Sequence, residues 1–108
     1  MTIKNKSVLF DTSIIVRYLI GEESPEGQQA INFLDQVQSG IVKGHLLECV
    51  FTEIIFVLSK FYEVPRSEIS KTLSGLLQYK GIVNDHKAVL LKALEIYSNT
   101  KLHIVDCI

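Results

Sequence analysis

Three carboxylates stand where side chains from separate parts of the chain could act together. Asp11 directly follows the apolar run Val8-Leu9-Phe10. Glu53 lies within Val50-Phe51-Thr52-Glu53-Ile54-Ile55, and Asp106 within His103-Ile104-Val105-Asp106-Cys107-Ile108. Each sits at the start or junction of an element, among apolar residues. A charge in such surroundings is costly unless it is paired or bound to a metal. Oxygen ligands drawn from separated segments suit a hard ion, Mg²⁺ or Mn²⁺. Two carboxylates about 5 Å apart repel by roughly 3 kcal/mol at an effective dielectric near 20, and a divalent ion removes that repulsion. Such an ion also activates water and stabilises charge on a phosphodiester. Taken alone, Asp11 also reads as a cap or turn residue.

The remaining acids read differently. Glu22, Glu23, Glu26, Asp35, Glu63, Glu68 and Glu95 fall on polar faces or in turns, where solvation accounts for them, and Asp85 reads as a helix cap. Glu48 ends a strand and reads either as a partner of the site or as a solvated edge residue. His45 and Cys49 have no second pair with zinc-ligand spacing, so they read as core or edge residues. There is no Gly-rich phosphate loop and no recognisable nucleophile–histidine arrangement. Lys60 and Arg66 read as phosphate contacts or as solvated charge.

The elements that must hold these residues follow from periodicity. Val8-Leu9-Phe10 has no polar alternation and predicts a strand covered on both faces, over residues 7–11. Thr12 and Ser13 are caps for a helix over about 13–19, stopped by Gly21. Ser24-Pro25-Glu26 opens a second helix that ends at Gly40. A second strand lies within 41–49, centred on His45-Leu46-Leu47. From Val50 to Tyr62 the apolar stripe is helical and includes Phe51, Phe61 and Tyr62 as core. Val64-Pro65 breaks it and starts another helix ending at Lys80-Gly81. Ile82 and Val83 are a short third strand, and Asp85 caps a last long helix. This alternation predicts a parallel sheet with helical crossovers. A carboxylate at the carboxyl end of a central strand is where such sheets place ligands.

The 108 residues predict a single domain over 1–108. Apolar residues make up 47% of the chain, which excludes disorder, and the net charge of −1 argues against a basic nucleic-acid-coating protein. It leaves room for an enzyme that meets nucleic acid at one small site. Cys49 and Cys107 are too few for a disulfide framework and fit a reducing cytoplasm. Asp11 interrupts the first apolar stretch too early for a signal peptide, and Ile54–Leu58 is far too short to span a bilayer.

Four stretches together resemble the PIN-domain ribonucleases, most nearly the VapC-type toxins of toxin–antitoxin pairs. They are Val8-Leu9-Phe10-Asp11-Thr12-Ser13, Glu48 through Leu58, Phe61-Tyr62-Glu63-Val64-Pro65-Arg66, and Ile104-Val105-Asp106-Cys107. The resemblance runs in order over essentially the whole chain. It implies an α/β three-layer fold with a small parallel sheet flanked by helices. It also implies a metal-dependent endoribonuclease in which Asp11, Glu53 and Asp106 hold Mg²⁺ or Mn²⁺, and Thr12 or Ser13 orients the first acid. The implied partners are an RNA substrate, a cognate antitoxin and a second copy of the chain in a homodimer or higher assembly.

PIN domains continue past the third acid through a helix and a strand carrying a fourth acid, whereas this sequence stops at Ile108. The expectation is therefore a C-terminally incomplete domain, with its last strand and helix missing and Val8–Phe10 left as an open edge that favours self-association and low activity. Two rival readings are a catalytically inactive PIN remnant acting as a protein-interaction module, and a different α/β domain with an acidic phosphate-transfer site.

Overall fold

A computed structural model describes residues 8–108. Ser7, where the sequence starts the first strand, lies outside the described residues. The elements run β1 (Val8–Leu9), α1 (Thr12–Ile20), α2 (Pro25–Ser39), β2 (Gly44–His45), α3 (Glu48–Lys60), α4 (Arg66–Leu77), β3 (Ile82–Val83), α5 (Lys87–Asn99) and α6 (Ile104–Cys107). The three strands form a parallel sheet in the order β1-β2-β3. Val8 pairs with Gly44 and Leu9 with His45, and Gly44 and His45 pair in turn with Ile82 and Val83. The predicted α/β class with a small parallel sheet flanked by helices is therefore the observed one.

The strands are shorter than the apolar runs that signal them. Pairing is regular over only two residues in each strand, although Phe10 N and Leu46 N still donate to His45 O and Val83 O just beyond. Within the described sheet β1 is an edge strand. Leu9 is 64% exposed, while Phe10 turns into the core and meets Phe33 edge-on.

Helix ends follow local chemistry, with three changes from expectation. Asp11, rather than Thr12 or Ser13, is the N-cap of α1, and its carboxylate accepts from the Ser13 backbone N–H. Gly21 closes that helix in the left-handed region, at φ 68°. Ser24 caps α2 as expected, accepting from Gly27 N, with Pro25 in the first turn. The α3 helix begins at Glu48 instead of Val50, and its start has no side-chain cap. Asp85 does not cap α5. His86 holds that position, and Asn84 shapes the turn by accepting from His86 N and donating to Leu46 O.

One apolar core fills the space between sheet and helices, with Ile15, Leu34, Phe51, Ile54, Leu73 and Leu94 fully buried. The α1 helix packs on α2 and α3, α4 on α5, and α6 on α5 and α3. Of the aromatic group expected in the core, only Phe51 is there. Phe61 is 72% exposed and Tyr62 half exposed, because α3 ends at Lys60 and both lie beyond its buried stripe.

Candidate active site

Asp11 leaves the carboxyl end of β1 and immediately becomes the cap of α1. Its two oxygens are both engaged by Ser13. The Ser13 hydroxyl donates to Oδ2 at 2.8 Å, and the Ser13 backbone N–H reaches Oδ1 at 3.4 Å. Thr12 turns the other way and donates its hydroxyl to Glu53 Oε1 at 2.5 Å. Packing of α1 on α3 brings these groups together. Glu53 is on the second turn of α3, off its buried stripe, so its carboxylate stays exposed. Adjacent residues of α1 thus fix the two acids.

Asp11, Thr12, Ser13 and Glu53 line one cleft of about 430 Å³, together with Arg17, Glu22, Val57 and Tyr62. Sequence reasoning missed the last four. Glu22, which the sequence places in a solvated turn, accepts from Ser24 Oγ at 2.6 Å and faces Arg17 Nε at 3.6 Å. The signal for Arg17 was its place four residues after Ser13, on the same face of α1. Three carboxylates against one guanidinium give the cleft a negative field, which attracts cations.

Asp106 is elsewhere. It is exposed on α6, its backbone N–H donating to His103 O, and it does not line the cleft. Among the described residues no group of three or more His, Cys, Asp or Glu is placed to share a metal ion. The metal-ligating atoms that the cleft offers are oxygens, from the carboxylates of Asp11, Glu22 and Glu53 and the hydroxyls of Thr12, Ser13 and Tyr62. That set suits Mg²⁺, which keeps several of its waters and is held through one or two carboxylates.

A second recess, of about 540 Å³, runs between α3 and the α5–α6 region, and Glu53 lines it as well. Its floor includes the buried Tyr97 and Ile104, and its open side the exposed Phe56 and Val105. The Arg66 guanidinium, which the sequence offers as a phosphate contact or as solvated charge, is spent on structure. It donates to the carbonyls of Tyr97, Lys101 and Leu102 at 3.0, 3.2 and 2.7 Å and stacks 4.1 Å over the Tyr97 ring. It thereby ties α4 to the connection that leads into α6.

The family model of the PIN domain matches residues 8–108, from the first strand to the last residue. The chain belongs to the PIN domain family. No curated protein and no solved structure matches it. PIN domains are generally nucleases, and the acids that the resemblance places first and second in the PIN site are the two that line the cleft here, Asp11 held by Ser13 and Glu53 by Thr12. Among the described residues no helix of this PIN domain is long and apolar enough to cross a membrane.

Proposed function

We propose that this PIN domain is a metal-dependent endoribonuclease, the toxin of a toxin–antitoxin pair, that hydrolyses RNA phosphodiesters. The observation that carries the reading is the Thr12–Glu53 hydrogen bond, which sets Glu53 beside the Ser13-bound Asp11 in one acidic cleft. Asp11 and Glu53 would hold Mg²⁺ or Mn²⁺, with Asp106 the third carboxylate that the family resemblance implies. The chemistry such an ion supplies when bound is an activated water and stabilisation of charge on phosphoryl oxygens. Ser13 and Thr12 keep the two carboxylates in fixed orientations, as partners of ligating carboxylates do in metal sites. Arg17, at the side of the cleft, offers a guanidinium to a phosphodiester oxygen. RNA is the substrate, and an antitoxin and a second copy of the chain are the protein partners.

The test is cleavage of single-stranded RNA by the wild-type chain in Mn²⁺ and in chelator, with growth arrest on induction in a bacterial host as the readout for a toxin. Metal-dependent cleavage that Glu53→Gln abolishes supports the reading, and cleavage unaffected by that change contradicts it. The alternative, an inactive remnant serving as a protein-interaction module, draws support from Asp106 standing apart from the two joined acids and from the exposed Phe61. It requires a wild-type chain that cleaves nothing in Mn²⁺ and arrests no growth.

A further inference from the structure

The recess between α3 and α6 has a composition that the acidic cleft lacks. Its exposed side carries Phe56 (56% exposed) and Val105, and its rim carries Lys60 and His103. Glu53 is the one carboxylate that lines it, and the same Glu53 lines the cleft that holds Asp11. The two concavities therefore adjoin at a single side chain. Glu53, Phe56 and Lys60 are three and four residues apart, which places them on one face of α3. Phe56 stands about 5 Å and Lys60 about 10 Å along the helix axis from the acid. Beside the Glu53 carboxylate there is thus an aromatic ring, an apolar floor and then a cation. That order matches the flat apolar face of a nucleobase followed by its phosphate. A volume of about 540 Å³ is ample for one nucleotide.

We propose that this recess is a subsite for one unpaired nucleobase next to the scissile linkage, with Phe56 as the stacking platform and Lys60 on the neighbouring phosphate. The proposal rests on the ribonuclease reading and deepens it. A base reaches such a recess only when splayed out of a helix, so the substrate is single-stranded or looped RNA. Stacking is tolerant of base identity, because every base has a π-face. Phe56 therefore selects for the presence of a base more than for its kind.

The test uses the full chain with chelator present, so that binding is read without cleavage. The probe is a short single-stranded RNA with 2-aminopurine at one position, compared with the same RNA abasic there. Wild type is expected to quench the fluorescence and to bind the base-containing RNA about 5- to 100-fold more tightly than the abasic one. Phe56→Ala should erase both the quench and that preference, and Phe56→Tyr should restore them. Lys60→Gln should lower the slope of log affinity against log salt by about 0.7. Equal binding of the two RNAs by the wild-type chain would overturn the subsite, whatever any variant does to folding. So would base-dependent binding that Phe56→Ala leaves unchanged, and the recess would then be free for an apolar protein helix. Metal-dependent cleavage that persists alongside either result fells the subsite alone. A wild type that neither binds nor cleaves RNA fells the ribonuclease reading and the subsite with it.

Discussion

Thr12 and Glu53 lie 41 positions apart in the sequence and are joined by a 2.5 Å hydrogen bond, from the Thr12 hydroxyl to the Glu53 carboxylate. The bond crosses from the first turn of α1 to the second turn of α3. Its neighbour Ser13 binds Asp11, so the two acids are set by successive residues. Thr12→Val keeps the side-chain shape and removes the donor. Cleavage is expected to fall about 10- to 100-fold, as when partners of metal-ligating carboxylates are removed. The melting temperature should change little, because this exposed bond contributes only about 0.5–1.5 kcal/mol. Kinetics beside a thermal melt separates the two effects.

Glu53→Gln removes one of the charges in the cleft while keeping an oxygen that accepts from Thr12. Without metal, stability is expected to be equal or higher, since like charges no longer face each other. If Glu53 is only a solvated residue on the second turn of α3, the change stays within about 0.5 kcal/mol in either direction and cleavage stays intact. Urea titration in chelator and cleavage in Mn²⁺, run on the same variant, distinguish these outcomes.

Metal should stabilise the native chain. An ion bound only by the folded state contributes about 2.7 kcal/mol at a hundredfold excess over its dissociation constant. Millimolar Mn²⁺ is therefore expected to raise the melting temperature of wild type, and Asp11→Asn to abolish most of that rise. An equal rise in the variant would remove Asp11 from the ion's surroundings.

Away from the site, Tyr18 and Tyr79 share a hydrogen bond of 2.5 Å between their hydroxyls. Burial first, and then this bond, hold the Tyr79 phenol well above its ordinary value of 10.0. The folded chain keeps that proton more tightly than the unfolded chain. The resulting stability is whole below pH 10 and is lost as the pH climbs above it. Denaturation followed from pH 8 upward should show this alkaline decline, and Tyr79→Phe should flatten it.

Gly81 sits where the chain enters β3, and a methyl group there would lie 2.0 Å from Val42 O and 2.6 Å from Val37 O. Both are backbone atoms at the end of α2 and the approach to β2, so neither can move aside cheaply. Gly81→Ala is expected to destabilise by about 3 kcal/mol, the scale of overpacking a well-filled interior. Chemical denaturation measures it.

The sequence showed the helices well because their apolar residues recur at helical spacing. Ile54, Ile55 and Leu58 are buried as that period requires, and Ser24-Pro25 opens α2 as its chemistry dictates. The strands were legible only as places. The run Val8–Phe10 predicts a strand covered on both faces, yet only Phe10 is buried, Leu9 is 64% exposed, and regular pairing covers two residues of each strand. Asp11 could be read as a cap or as a site residue, and it is the cap of α1 while also lining the cleft. The partnership of Thr12 with Glu53 could not be read locally, since it arises from α1 packing on α3. The place of Tyr62 in the cleft is hidden for the same reason, whereas Arg17 and Glu22 meet through contacts that are local in sequence. The role of Arg66 is also tertiary, because the carbonyls it binds lie at least 31 residues away.

The most direct measurement is cleavage of single-stranded RNA in Mn²⁺ by Asp11→Asn beside wild type. Asparagine caps a helix as well as aspartate does, so α1 and the fold should persist, with at most about 1 kcal/mol lost from the weaker dipole interaction. The expected result is metal-dependent cleavage by wild type and a loss of about 100-fold or more in a variant that melts almost as wild type does. Cleavage by the folded variant at the wild-type rate would contradict a catalytic role for the cleft that Asp11 and Glu53 share.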